Sequence, residues 1–464
     1  MAQSDILLLA CYEMGHQPLS LAWPAAALRQ AGHDLTAVDL AVEPLPREAA
    51  VKARFVGISV PMHTALRLGT KVAAQIRELN PTAHICFFGL YAWLNADYLL
   101  NGIGDSVIAG EVEVPLVDLV DYLLVDDLDE SEKRKIAIPG VSTATHRSRP
   151  HLTRLTLPEP DRTGLPDLSV YAHYQANGHS HRAGYVEASR GCLHTCRHCP
   201  VVPVYGGRFF VVAQETVMAD IRNQVAARAD HITFGDPDFL NGPGHVMKIA
   251  RALHAEFPRV TFDFTTKVEH ILQHQELFLE LRSLGAGFVV SAFEHVSDDI
   301  LVRLNKGHSR ADMDKALTIL RQAELPVQPT WLPFTPWTTL ENYIELLDWI
   351  RERDLIQNVP AVQLSIRLLV PPNSDLLNTS DSVNWRGQLN PAQFSYEWRS
   401  QDPCVDELQQ HVALLAEQAR SDPYETFTEI ERLAYGMAGR RPPARPALRL
   451  IKPAPPRLTE DWFC

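Results

Sequence analysis

Cys192, Cys196 and Cys199 stand at C-x3-C-x2-C spacing in the segment EASRGCLHTCRHCPVVPVYGGRFF. Three thiolates this close can hold three irons of a cubane cluster, whereas a fourth cysteine would close it and suit it to electron transfer. The remaining iron keeps an open position, which a catalytic metal needs and a structural one lacks. Two other readings compete. His194 and His198 lie inside the segment, and zinc accepts Cys and His, but no second half site of the usual structural zinc kind is visible. Three inert buried thiols are the other alternative, but loop cysteines beside Arg190, Arg197 and the histidines are poor candidates for inert core thiols.

The elements that position this loop form a repeating β/α pattern. Strand-like runs fall at Tyr185–Ser189, His231–Phe234, Thr261–Thr266, Phe288–Phe293, Val327–Phe334 and Val362–Leu369. Amphipathic helical stretches lie between them, at Glu215–Ala229, His245–Glu256, Glu276–Leu284 and Leu340–Arg353. About six β/α units in a row fold as an open sheet or as a complete or partial barrel, and function in barrels gathers at the C-terminal ends of the strands. The cysteine loop directly follows the first of these strands.

The N-terminal stretch alternates in the same way. Strands are expected at Ile6–Ala10, Asp34–Asp39, Phe55–Val60, His84–Gly89 and Ser106–Gly110, with helices at Leu19–Ala31, His63–Leu79 and Val114–Leu124. That is a parallel, doubly wound sheet. Ligands bind beyond the carboxyl ends of such strands, here at Cys11–His16, Ser59–Thr64 and Gly89–Trp93. The charge run VDDLDESEKRK reads as a solvated loop, and Arg147–Tyr174 as a linker draped over the surface. Beyond Pro372 the β/α rhythm ends, and Asp406–Ala419 and Tyr424–Met437 read as helices. From Arg440 the chain is rich in Pro and Arg, which favours an extended, mobile segment lying along an acidic protein.

Composition limits the classes of function. The chain has 464 residues with Lys+Arg 43 and Asp+Glu 56, a formal net charge of −13. An acidic chain is a poor coat for nucleic acid, whose phosphates call for a basic face. No apolar run approaches the ~20 residues of a membrane helix. The start MAQSDILLLA has neither a basic n-region nor a cleavage site, so the expectation is a cytoplasmic protein. Seven cysteines, odd and sparse, are not a secreted disulfide framework.

The cysteine motif, after a strand and the pair Arg190-Gly191, resembles the signature of the radical S-adenosylmethionine (SAM) superfamily. Gly287–Ser309 (GFVVSAFEHVSDDILVRLNKGHS) is similar to that family's fourth-strand segment, and His231–Phe239 (HITFGDPDF) to its second. The resemblance implies a partial (β/α)6 barrel, a [4Fe–4S] cluster on Cys192, Cys196 and Cys199, and reductive cleavage of SAM to a 5′-deoxyadenosyl radical. Carried over by position, His198 meets the adenine through its backbone and Asp236 lies near the methionine moiety. Ser291 and Glu294 face the ribose and amino group, and Arg367 approaches the carboxylate. Asp236 and Glu294 read equally as caps or surface carboxylates, and Arg367 as a partner of either. Gly235 stands alone where the family commonly has a double glycine.

Residues 1–125 resemble the cobalamin-binding-like domain fused to one subgroup of that superfamily. VGISV, FFG and VIAGEVEVP match its landmark segments, the last as a Gly-Glu-x-Glu turn (Gly110, Glu111, Glu113). The histidine motif for cobalt is absent; the loop reads ACYEMGHQP, with only His16 nearby. Cobalamin binding without a histidine ligand and a degenerate framing domain both stay open. The expected organisation is a Rossmann-like domain (1–125), a linker (126–180), a radical SAM partial barrel (181–375), a helical C-terminal extension (376–439) and a Pro-rich basic tail (440–464). The ending RLTEDWFC resembles a subgroup that ends in Cys-(selenocysteine or Cys)-Ala-Glu-Pro, which would make Cys464 the residue before a UGA codon read as stop; a genuine terminus is the other reading.

The resemblance implies a radical SAM enzyme performing methylation, cyclisation, rearrangement or peptide modification on a small-molecule or peptide substrate. A flavodoxin- or ferredoxin-type electron donor is implied with it. A non-catalytic Fe–S or corrinoid-binding sensor or carrier is the competing class.

Overall fold

Short, mostly apolar and mostly buried runs build the first sheet. The computed structural model describes residues 5–125, 136–419, 422–443 and 453–460. Strands β1 (Ile6–Ala10), β2 (Leu35–Asp39), β3 (Phe55–Ser59), β4 (His84–Phe88) and β5 (Ser106–Ile108) pair in parallel in the order β2-β1-β3-β4-β5. Every residue of β1 and β3 is buried, as a sheet covered by helices on both faces requires. The helices Leu19–Gln30, His63–Leu79 and Glu113–Leu123 supply that cover. The doubly wound expectation holds for this sheet, with strand ends shifted by a residue or two.

The stretch read as a surface linker is more ordered than that. Its residues 126–135, the charge run apart from Val125, lie outside the described residues. After them β6 (Val141–Thr143) adds antiparallel to β5. Arg162 then hydrogen-bonds Asp220 at 2.9 Å, Gln17 at 3.0 Å and the Tyr185 carbonyl at 2.7 Å. One guanidinium thus ties the first sheet's leading loop to the second sheet. Sequence periodicity misses this because short edge strands and side-chain ties leave no repeat.

The second sheet is the barrel wall. β7 (His173–Ala176) and β8 (His179–Val186) form a hairpin, and β8 continues in parallel through β11 (His231–Phe234), β12 (Thr261–Thr266), β13 (Ala286–Glu294) and β14 (Val327–Trp331). β9 (Ser189–Gly191) and β10 (Phe209–Val211) make a separate antiparallel pair between β8 and β11 in sequence. Five of the six expected barrel strands are present. The sixth, Val362–Leu369, is a correction: it shrinks to a single parallel bridge between Phe334 and Arg367. Ala361–Leu364 coils as a 3-10 turn after Pro360, and the Gln363 side-chain oxygen accepts from the Trp331 N–H at 2.9 Å. A side chain has taken over the ladder bond that a strand would have made.

The C-terminal extension is helical at Pro403–Glu417 and Pro423–Met437 but also carries a hairpin, β15 (Arg386–Asn390) with β16 (Ser395–Trp398). Phe394 in that hairpin packs edge-on against Tyr98 of the first domain, ring centroids 5.2 Å apart. The tail is not free over its described part. β17 (Arg457–Leu458) pairs antiparallel with β7, and the Tyr12 hydroxyl donates to Glu460 at 2.5 Å. Cys464 and the stretch 444–452 lie outside the described residues. Among the described residues no helix is long and apolar enough to cross a membrane.

Candidate active site at the barrel mouth

The pair β9–β10 clamps the two ends of the cysteine loop. Cys192 N–H donates to the Arg208 carbonyl at 3.0 Å. The middle of the loop docks on the segment after β13. Arg197 N–H donates to the Leu304 carbonyl at 2.9 Å, and Asn305 Nδ2 to the Thr195 carbonyl at 2.8 Å. Cys192 and Cys196 are buried and Cys199 is partly so. Burial pushes the Cys199 thiol up to about 12 and raises Cys192 as well. These thiols ionise only with positive charge beside them, which is what iron supplies on displacing the protons.

The donor set fits a cluster better than one ion. Among the described residues, the group whose ligand atoms crowd closely enough for a single metal ion is His194, Asp238 and His270, and it includes no cysteine. A cubane corner spreads its thiolates further apart than the ligands of one zinc ion. The zinc reading of the cysteine motif therefore loses ground to the cluster reading.

Lys306 and Glu294 lie beside the loop. Glu294 ends β13 with a left-handed φ of 64°. Its carboxylate meets Lys306 Nζ at 3.0 Å and His198 Nε2 at 3.2 Å. Burial alone would raise Glu294, but Lys306 and His198 more than offset it and hold it well below the usual carboxylate range. Lys306 is held above its ordinary value, since the Glu294 charge and the Cys196 and Cys199 thiols outweigh its burial. Of the residues expected to contact SAM, the structure thus joins His198 and Glu294 directly. Ser291 is fully buried on the same strand, and its hydroxyl has no hydrogen-bond partner. An orphaned buried hydroxyl three residues before Glu294 on the same strand fits a bound polar molecule such as the SAM ribose.

Asp236 and Arg367 are engaged elsewhere. Asp236 accepts from Ala188 N–H at 3.0 Å and from Ser189 Oγ at 2.5 Å, and burial pushes it up to about 6 despite these bonds. It locks the end of β8 just ahead of the cysteines, close to the capping alternative. Arg367 pairs with Asp406 at 2.7 Å, donates to the Trp398 carbonyl at 2.6 Å and lies over the Trp398 ring. Pairing of Arg367 with Asp236 or Glu294 is therefore corrected: its partner is Asp406, on a helix the sequence pattern did not bring near.

Gly235 has its own reason to be glycine. A Cβ there would lie 2.2 Å from Tyr185 Cζ. Tyr185 in turn stacks on His16 with centroids 4.4 Å apart. His16 is buried and held down to about 4 by that burial. The other imidazole on the first sheet's rim, His63, hydrogen-bonds the Gln393 carbonyl at 2.7 Å. His63 is hydrogen-bonded to protein and His16 is buried against Tyr185, so these residues fit best a corrin whose cobalt takes no imidazole from the rim.

The two domains meet at a buried ion cluster. Gly110, at φ 84°, lets its backbone approach His151 so closely that a Cβ would lie 2.3 Å from the His151 carbonyl. That turn aims Glu111 and Glu113 at Arg190, 3.0 Å and 2.8 Å away. Glu187 adds a third carboxylate at 3.4 Å. One guanidinium does not neutralise three carboxylates, and burial pushes Glu187 up to about 8 even beside Arg190. The Tyr205 hydroxyl, from the far side of the cysteine loop, also donates to Glu111 at 2.9 Å. The Gly-Glu-x-Glu turn and Arg190 were both visible in the sequence, but nothing local showed that they touch. Lys306 lies within Gly287–Ser309, where its sequence position alone assigns it no role. His270 and Asp238 carried no signal, because their partner His194 is remote in sequence.

Comparison with known proteins agrees with this geometry. Residues 186–350 match the radical SAM superfamily and residues 6–120 match the B12 binding domain. The hopanoid C-3 methylase of Methylococcus capsulatus is 25% identical over 353 residues, covering 74% of this chain and 66% of its own length. The anaerobic magnesium-protoporphyrin IX monomethyl ester cyclase of Synechocystis sp. is 22% identical over 366 residues, 73% of this chain and 66% of its own. The chain thus spans about two thirds of the length of these curated relatives. Among solved structures, the cobalamin-dependent SAM radical enzyme OxsB, with aqua-cobalamin and SAM bound, gives a TM-score of 0.70 at 13% identity, covering 94% of this chain and 72% of that one. The radical SAM methyltransferase TsrM of Kitasatospora setae, with tryptophan and a SAM analogue bound, gives 0.62 at 16%, covering 84% and 82%. At these identities the structural likeness is one of fold. This chain carries a radical SAM domain behind a B12-binding domain.

Proposed function

We propose that the chain is a radical SAM enzyme whose substrate is a small or macromolecular compound taken at the barrel mouth, and that its reaction is methyl transfer. The observation that carries the first half is the cysteine loop at the C-terminal end of β8, flanked by the Lys306–Glu294–His198 cluster and the orphaned Ser291 hydroxyl. A binding or carrier protein needs no such constellation. Methyl transfer is supported by the B12-binding domain and by relatives named as a methylase and a methyltransferase.

Cys192, Cys196 and Cys199 would hold the [4Fe–4S] cluster, which when bound supplies the electron that cleaves SAM. The chain's own residues do the rest. Glu294 and Ser291 offer an acceptor and a hydroxyl to the amino and ribose groups. Lys306 holds Glu294 ionised so that it can accept. Arg190 fixes the loop against the first domain through Glu111 and Glu113. The electron donor we infer is of flavodoxin or ferredoxin type, as the superfamily resemblance implies.

Anaerobic incubation of the reconstituted, reduced chain with SAM and added cobalamin tests the reading. Methylcobalamin and S-adenosylhomocysteine are expected. Formation of 5′-deoxyadenosine without either would remove methyl transfer and keep the radical enzyme.

A further inference from the structure

His194, within the cysteine loop, meets Asp238 and His270 in a group that includes no cysteine. One ligand atom from each falls within 4.8 Å of the others. His270 Nδ1 lies 2.9 Å from Asp238 Oδ2, and His194 Nε2 lies 3.5 Å from the same oxygen. His194 Nε2 and His270 Nε2 are 3.3 Å apart. Donor atoms about 2.1 Å from one ion stand roughly 3.0–3.4 Å from each other, and His270 offers such a shell one nitrogen, Nδ1 toward Asp238 or Nε2 toward His194, so each pair approaches ligand spacing on its own.

The polar atoms are spent only on one another. Asp238 is fully buried and His270 is 6% exposed, yet Asp238 Oδ2 and His270 Nδ1 are both out of hydrogen-bond alignment with any partner. The other Asp238 oxygen is fixed by Thr266 Oγ1 at 2.9 Å and Leu240 N–H at 3.2 Å, which leaves Oδ2 facing the imidazoles. On the far side of His194, Nδ1 faces Glu269 Oε2 at 3.5 Å. A carboxylate behind a ligating imidazole sets its tautomer and raises its basicity.

From this geometry we propose a divalent-metal site at His194, Asp238 and His270, distinct from the Fe–S cluster. Two imidazoles and one carboxylate select a borderline transition ion such as zinc, iron(II) or cobalt(II) over magnesium or calcium. Three protein ligands leave the ion an open position. His194 lies between Cys192 and Cys196, which places the site against the cluster loop.

The test is a metal count that needs neither SAM nor turnover, so it stands apart from the proposed activity. Cobalt(II) is added to the anaerobically reconstituted full-length chain, the protein is desalted, and cobalt and iron are counted by elemental mass spectrometry. About one cobalt per chain is expected, with binding at least tenfold weaker in His270→Ala and in His194→Gln at unchanged iron content. His194→Gln sits on a loop and keeps the test decisive if His270→Ala misfolds. No retained cobalt, or equal retention in wild type and the folded variants, overturns the site.

Discussion

The Arg190 guanidinium, two residues ahead of the first cysteine, lies 3.0 Å from the Glu111 carboxylate of the B12-binding domain. Through it the cysteine loop is joined to the other domain by a buried, charge-assisted contact rather than by surface packing. Removing one partner of a buried pair strands the other charge and costs about 3–5 kcal/mol. Arg190→Ala is therefore expected to lower the thermal unfolding midpoint by several degrees, with loss of cluster iron on desalting. Arg190→Lys should recover only part of this, since one ammonium cannot reproduce the fork. Wild-type stability and iron content in Arg190→Ala would contradict the link.

Ser291 allows stability and binding to be separated. Its hydroxyl is buried and unpartnered, so Ser291→Ala removes an unsatisfied group and should leave the unfolding midpoint unchanged or higher. If the hydroxyl meets SAM, its loss removes about 1–1.5 kcal/mol of binding, and the SAM concentration for half-maximal cleavage rises roughly tenfold. An unchanged SAM requirement would remove Ser291 from the site.

His16 sets a pH dependence. Its folded pKa is lowered by burial to about 4, against about 6.5 in an unfolded chain. As pH falls below 6.5 the unfolded chain takes up a proton that the folded one refuses until about 4. Stability is thus fully present above pH 6.5 and lost through that window, by up to about 3 kcal/mol for the one group. His16→Phe, which keeps a ring against Tyr185, should flatten the slope between pH 6.5 and 4. Some slope remains, because burial holds His308 down to about 4 as well. Equal slopes in the two proteins would show that His16 is not buried neutral.

Gly235 is tested by one methyl group. Gly235→Ala drives a Cβ into Tyr185 and should cost about 1–3 kcal/mol by overpacking. Gly235→Ala combined with Tyr185→Leu should cost less than the two changes summed, since the clash is with the ring. Additive costs would place the strain elsewhere.

Legibility in the sequence followed the range of the interactions. Buried parallel strands such as β1, β11 and β12 are continuous local patterns, and their residues were readable to the exact span. The cysteine triad was readable because its ligands are neighbours along the chain. The sixth barrel strand was misread because Val362–Leu369 is apolar enough for a strand, while a remote contact decides that the Gln363 side chain does the pairing. The partners of Arg367, Asp406 and Trp398, lie more than thirty residues on and leave no local pattern to read. The His194–Asp238–His270 cluster draws on the cysteine loop, the turn after β11 and the helix Val268–Gln273 after β12, and leaves no spacing to read.

The central claim is that Cys192, Cys196 and Cys199 carry a cluster that cleaves SAM. The most direct measurement is anaerobic: reconstitute the chain with iron and sulfide, add dithionite and SAM, and quantify 5′-deoxyadenosine beside Cys196→Ala. The account predicts 5′-deoxyadenosine from the parent and none from the variant. A parent chain with a full complement of cluster iron and no 5′-deoxyadenosine, or a variant as active as the parent, would contradict it.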